Sequence, residues 1–158
     1  MTTASLIARL LEEHSAVDHA TVEALRELLD DSTIEAEMPL IGVADAAALV
    51  GLSAHTLRYY ESEGLVRPQR DGAGHRVYGA ADLRRLVFLT RMRVSGMVML
   101  DLKRYIALVE QGEHTTSERR EMMLDQRERI RRQLRELTLA LETTEYKIQS
   151  YNGAPATE

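Results

Sequence analysis

Residues 43–62 read VADAAALVGLSAHTLRYYES, and this stretch decides the fold. Two short helical runs, 43–50 and 54 to about 62, flank the tripeptide Gly51-Leu52-Ser53. That is the grammar of a helix-turn-helix. Ala47 is small where two helices cross closely, and Gly51 permits the left-handed turn between them. Ser53 carries the hydroxyl that caps the next helix. Leu49, Leu52, Leu57 and Tyr60 are expected to fill the core, which leaves Ala54, His55, Arg58 and Tyr59 projecting where a major groove would lie.

Working toward the C-terminus, the second helix is expected to end at Gly64. The run Arg70-Asp71-Gly72-Ala73-Gly74-His75-Arg76-Val77-Tyr78 then reads as two extended arms around a Gly-rich tip, a wing. Asp-Gly is a strong turn signal. Arg70 and Arg76, one on each arm, are placed to straddle a phosphate backbone. Helical spacing resumes from Ala81 to Val94, breaks at Gly96 and returns from Met99 to Glu110.

From Thr115-Thr116-Ser117-Glu118, a capping-box pattern, no Pro or Gly interrupts the chain until past Asn152. Ile130, Leu134, Leu137, Leu141, Thr144, Ile148 and Tyr151 alternate steps of four and three. This is a coiled-coil seam, with Met123 extending it backwards and Arg127 interrupting it. A helix of roughly 35 residues is ~50 Å long at 1.5 Å per residue. Residues 4–30 are too short to cover such a seam as an intramolecular hairpin, so a second copy of the chain is the simplest partner.

Toward the N-terminus, Leu6, Ile7, Leu10 and Leu11, then Val22, Leu25, Leu28 and Leu29, predict two short amphipathic helices. Thr3 or Ser5 is expected to cap the first and Asp18 or Thr21 the second, with Asp30–Glu37 and Pro39 as the exit. The net charge of -5 is unevenly spread: residues 1–39 hold two bases and nine acids, 40–111 ten and seven, and 112–158 eight and nine. The middle third is therefore the basic one, as a nucleic-acid footprint requires. His14 and His19 stand five apart and do not face together, so a solvated acidic surface is expected there rather than a metal site.

The absence of cysteine removes disulfides, thiolate metal ligands and nucleophilic thiols. The five histidines lack metal-motif spacing, and no phosphate-cradling glycine loop occurs. No enzyme, metal or cofactor is expected. No apolar run approaches the ~20 residues of a membrane span, and no signal core follows the N-terminus, so the default expectation is cytoplasmic.

The whole run from VADAAALVGLSAHTLRYYESEGLVRPQR through GHRVYGAADLRRLVFLTRMRVSGM resembles the MerR family of transcriptional regulators. The likeness rests on Thr56-Leu57-Arg58-Tyr59-Tyr60-Glu61, Gly64-Leu65, Pro68, Arg76, Tyr78, Asp82-Leu83 and Gly96. It implies a mainly α chain: a helical N-terminal extension (1–39), a winged helix-turn-helix DNA-binding domain (40–111), a dimerisation helix (112–152) and a tail (153–158). By resemblance, Arg58 and Tyr59 contact bases or backbone, Arg76 with Tyr78 holds phosphates, and His55 bears on sequence choice. Ser53, Thr56, Arg70 and His75 complete the candidate DNA-contacting set. Ile130, Leu134, Leu137, Leu141, Ile148 and Tyr151 are the candidate dimerisation residues, with the long helices pairing antiparallel.

The implied partners are promoter DNA, a second copy of the chain, RNA polymerase acting through the promoter, and a small-molecule inducer. The implied action is to deform promoter DNA, as activator or repressor. Thiol-based sensing is not expected, and Gly153–Glu158 leave no room for an appended effector domain. Met97, Met99, Tyr105, Met122 and Met123 read either as an adaptable inducer pocket or as filling for an irregular core. Gly79 and Val98 replace favoured helix-capping hydroxyls. The acidic extension lies outside the family pattern and reads as an accessory helical pair, a cap on the dimer, a recruiting surface or an electrostatic competitor of DNA. An architectural or excisionase-like DNA-binding protein shares the wing but does not need the long helix. A protein-interaction adaptor is the third reading.

Overall fold

Apolar residues at three- and four-residue spacing produce α1 (Thr3–Leu11) and α2 (His19–Leu29) in the computed structural model, which describes residues 2–12, 17–30 and 38–153. His14 and Asp31–Glu37 lie outside the described residues, as do the tail residues beyond Gly153. The first cap differs from the expectation. It is Thr2, whose hydroxyl accepts the Ser5 N–H at 3.1 Å, so the helix begins ahead of both Thr3 and Ser5 as caps. Asp18 caps α2 as expected, its carboxylate accepting the Thr21 N–H at 2.7 Å.

The elements then follow in the order β1 (Ile41–Gly42), α3 (Val43–Val50), α4 (Ala54–Ser62), β2 (Gln69–Arg70), β3 (Arg76–Tyr78), α5 (Ala80–Val94) and α6 (Met99–Gln111). A 3-10 turn (Glu113–Thr115) leads into α7 (Thr116–Asn152), 37 residues long. The chain divides into two compact units, Met1–Ile106 and Ala107–Glu158, with the division inside α6. No helix among the described residues is long and apolar enough to cross a membrane.

The helix-turn-helix closes through a Schellman motif. Gly51 takes φ 70°, which lets the Leu52 N–H reach the Ala47 carbonyl at 3.0 Å and its own N–H reach Ala48 at 3.3 Å. A side chain at residue 51 would also meet the methyls of Leu11 at 3.3 Å. Gly51→Ala is therefore expected to lower the urea midpoint by the equivalent of about 1–2 kcal/mol at unchanged slope. An unchanged midpoint would show that neither the turn nor the α1 contact resists a side chain.

Ala46, Ala47 and Val50 carry the buried face of α3, and Leu57 and Tyr60 that of α4. Leu49 and Leu52 are only half-buried, because the small alanines, not the leucines, face the crossing helices. Leu65, Val66, Tyr78, Leu83, Leu86, Leu89, Met97 and Leu102 complete this core.

The wing is a three-stranded antiparallel sheet in the order β1-β3-β2, with Ile41 opposite Tyr78 and Arg70 opposite Arg76. The strand β1, two residues long, was not anticipated: so short a run has no alternation to read.

Gly79 stands at the start of α5 without a capping hydroxyl, and a side chain there would press on Leu40 at 3.3 Å. Asp82 compensates by accepting the Gly79 N–H at 2.9 Å. Burial pushes the Asp82 carboxyl above the usual carboxylate range, against that bond and the charge of Arg85.

One arginine joins the N-terminal helices to α5. Arg84 is 4% exposed. Its Nε donates to the Thr3 hydroxyl at 3.2 Å, and a terminal nitrogen donates to the carbonyls of Glu27 and Leu28 at 3.0 Å and Asp30 at 3.3 Å. The Glu27 carbonyl also accepts the Asp30 N–H at 3.3 Å, so the guanidinium adds to the bonds at the C-terminal end of α2. The guanidinium therefore acts as a C-cap delivered from another helix, and α1 and α2 share the compact unit of the helix-turn-helix.

The capping box expected at Thr115–Glu118 does not form. Thr115 instead shares its hydroxyl proton between the carbonyls of Leu108 at 2.6 Å and Gly112 at 2.7 Å, which closes the turn before α7. Arg119 donates to the same hydroxyl oxygen at 3.0 Å.

Candidate nucleic-acid interface and dimerisation helix

A cleft of about 500 Å³ opens between the start of α3, the middle of α4 and the wing. Its floor is the first turn of α3, residues 42–45, where the N–H groups of a helix start and the positive helix end favour an anion. Arg58 enters it from α4, and Arg70, His75 and Arg76 from the wing. Asp45 and Asp71 are the negative groups among its lining residues. Guanidinium forks converging on a helix N-terminus match the two free oxygens of a phosphodiester.

On α4, Ser53 and Thr56 are engaged with each other. The Ser53 hydroxyl accepts the Thr56 N–H at 3.0 Å and lies 2.8 Å from its hydroxyl, which starts the helix where the pattern placed it. His55, Arg58 and Tyr59 are exposed along one surface. Tyr59 lies against Tyr60 with ring centroids 6.2 Å apart. Burial raises the Tyr60 hydroxyl pKa, in keeping with its expected place in the core.

In the wing, the Asp71 carboxylate accepts the backbone N–H groups of Ala73 and His75, each at 2.9 Å. These bonds, the one from His75 foremost, hold its carboxyl below the usual range. The exposed His75 ring stands 3.6 Å from the same carboxylate.

Tyr78 is not where it was expected. It is 0% exposed, and its hydroxyl has no hydrogen-bond partner among the described residues. Desolvation raises its pKa. Wholly buried, it presents no group to a phosphate, which corrects the role expected of it beside Arg76.

The residue overlooked is Glu61. Arg76 Nε donates to one of its oxygens and an Arg70 terminal nitrogen stands 3.6 Å from the other. The hydrogen bond to Glu61 raises the Arg76 pKa. Glu61 was visible in the TLRYYE motif, but nothing local marks a carboxylate whose partners, Arg70 and Arg76, lie in the wing on another element.

Of the residues read as an inducer pocket, Met97 is buried and Met99 and Tyr105 are half-buried in the first unit, where Tyr105 stacks on Phe88 at 5.2 Å. Met122 and Met123 belong to the second unit and are half-buried. Among the described residues no group of three or more His, Asp or Glu side chains is placed to hold a metal ion.

Along α7 the seam is uncovered. Ile130 is half-buried, but every residue from 131 to 153 is exposed, with Leu134 at 59%, Leu137 at 67% and Leu141 at 58%. Ile148 and Tyr151 continue the exposed stripe. Leu139 and Tyr146 are also exposed, on the side of the helix opposite the seam.

The pattern of the MerR HTH family regulatory proteins matches residues 42–109. The HTH-type transcriptional regulator HmrR of Rhizobium leguminosarum bv. viciae is 34% identical over 113 residues, which span 72% of this chain and 88% of that protein. The chain belongs to the MerR family. It is thus a DNA-binding transcriptional regulator and not an enzyme.

Two solved structures carry the likeness through the fold of this MerR regulator. A MerR family transcriptional regulator from Listeria monocytogenes superposes with a TM-score of 0.67 at 35% identity, covering 72% of this chain and 86% of that one. HiNmlR, a MerR family regulator lacking the sensor domain and solved bound to promoter DNA, gives 0.68 at 34% identity, covering 72% and 91%. The matched family segment begins at Gly42, so α1 and α2 of this MerR regulator lie outside it.

Proposed function

We propose that this MerR regulator binds a near-palindromic promoter site as a homodimer and alters the shape of the promoter DNA to control transcription by RNA polymerase. The observation that carries the reading is the pairing of one basic cleft per chain with a long apolar seam that the chain itself leaves uncovered. A seam of exposed leucines on a single helix is stabilised by a second copy, and a two-fold pair presents two α4 helices to successive major grooves. Arg58, Tyr59 and His55 then face base edges and backbone, while Arg70 and Arg76 bracket a phosphate. That HiNmlR was solved on promoter DNA supports the same docking for this chain. Bending or untwisting the site costs deformation energy, which the contacts of two wings offset.

Footprinting on the upstream intergenic DNA of its own gene at two salt concentrations tests the proposal. One palindromic protected site that weakens with salt is the expected result. Protection everywhere, or nowhere, would overturn it. Arg58→Ala is expected to cost roughly 10- to 100-fold in operator affinity, the range for one direct contact. The salt slope separates its roles: a fall of about one marks a phosphate contact, while an unchanged slope with relaxed preference at one base pair marks a base contact. Wild-type affinity in the variant would remove Arg58 from the interface.

A further inference from the structure

We propose that Glu61 acts as an internal phosphate mimic, occupying Arg70 and Arg76 in the free protein so that only DNA docked in the correct register draws them away, and thereby sets discrimination between operator and random DNA. The inference rests on the DNA interface proposed above and adds to it a residue that carries the wrong charge for DNA.

Three observations converge. Glu61 lies on α4 one turn beyond Arg58, so its carboxylate is held at the same groove-facing helix and not in a separate surface cluster. Arg70 and Arg76 are directly opposed in the β2–β3 register, which places two like charges side by side next to the loop at the wing's tip. The Glu61 carboxylate meets both, one oxygen to Arg76 Nε and the other 3.6 Å from Arg70.

The two oxygens of a carboxylate and the two free oxygens of a phosphodiester offer the same fork to a guanidinium. Glu61 is therefore a competitor in the seat that DNA would use. Each arginine keeps further N–H donors beyond those turned to Glu61, so a phosphate can approach and take over the pair. On random DNA the phosphates meet the wing without the base contacts that fix register, and the arginines remain on Glu61. At the operator, contacts from α4 hold a phosphate at the wing long enough for exchange. The carboxylate would thus lower affinity for all DNA but lower it more for the wrong DNA.

Glu61→Gln tests this, because the amide retains size and one acceptor but loses the charge. The probes are the footprinted operator and a random duplex of equal length, each titrated with wild type and variant at several salt concentrations. The expected result is random-DNA affinity raised about three- to tenfold, with a salt slope steeper by about one, the change that neutralising one more phosphate brings. Operator affinity changes less, so the ratio between the two falls. Glu61→Asp, which keeps the charge, is expected to retain the wild-type slope.

A parallel loss of affinity on both DNAs, or an unchanged ratio, overturns the proposal. Wild-type protein that binds neither DNA overturns the interface itself, a distinguishable result. Should the variant fold poorly, the Nε–H resonance of Arg76 in the wild-type protein decides the matter. It is expected to shift on the operator and to stay put on random DNA, and the same shift on both would sink the idea.

Discussion

Leu137→Glu combined with Leu141→Glu is expected to turn the protein into a folded monomer that has lost roughly 10²- to 10⁴-fold in operator affinity. Both side chains are more than half exposed in the single chain, so the substitutions remove no internal contact from it. In a dimer the same residues are core. Each buried leucine stabilises it by roughly 1.5–3 kcal/mol, and the double variant forfeits that contribution on both chains while forcing four carboxylates toward an apolar interface. The DNA-binding unit should unfold at its wild-type denaturant midpoint, since it lies in the other compact unit. The affinity loss has a different origin. Two tethered recognition helices gain from effective concentration, and a monomer binds each half-site alone. Sedimentation equilibrium and a gel-shift titration measure the two effects separately. A double variant that remains dimeric would assign the interface to another surface, while a monomer with wild-type affinity would show that one wing suffices.

The second large effect is on stability. Arg84→Ala removes the guanidinium's bonds to the end of α2 and the bond to Thr3 in one step, the one to the buried Leu28 carbonyl among them. Unsatisfied buried acceptors cost roughly 1–3 kcal/mol each, and partial access of water lowers the sum, so an overall loss of about 3 kcal/mol is expected. The loss should be read as earlier urea unfolding, together with faster amide exchange in residues 19–29 than in α4. Arg84→Lys is expected to recover only part of it. An ammonium presents a point charge where several carbonyls and a hydroxyl need a planar fork. If Arg84→Ala leaves both the midpoint and the exchange of α2 unchanged, the N-terminal pair is held by its apolar contacts and the arginine is incidental.

These residues also mark where the chain was legible and where it was not. The turn at Gly51-Leu52-Ser53 could be read directly, because a left-handed glycine and a capping hydroxyl act within a few positions of each other. The long helix was legible for the same reason, as a repeat that needs no knowledge of what covers it. Thr115 looked like the start of a capping box but was drawn into closing the preceding turn through Leu108, a competition between two local uses of one hydroxyl. Tyr78 was expected to hold phosphates with Arg76 on the strength of the family likeness, yet its side chain is wholly buried, a placement that depends on the packing around it and not on its neighbours in sequence. Glu61 and Arg84 escaped altogether. Their partners are as many as fifteen and 81 positions away, and no periodicity or composition encodes a pairing at that distance.

Arg84 recognises the N-terminal helices largely through their main chain, since its acceptors at Glu27, Leu28 and Asp30 are backbone carbonyls. Every residue type supplies a carbonyl there, whereas no other side chain supplies that fork. Descent should therefore leave an asymmetric record. Among relatives that carry the extra helices, position 84 should hold arginine while positions 27 and 30 drift freely, and among relatives without them it should drift too. The covariation would lie between one residue and the presence of a segment, not between two residues, and pairwise comparison of columns would miss it.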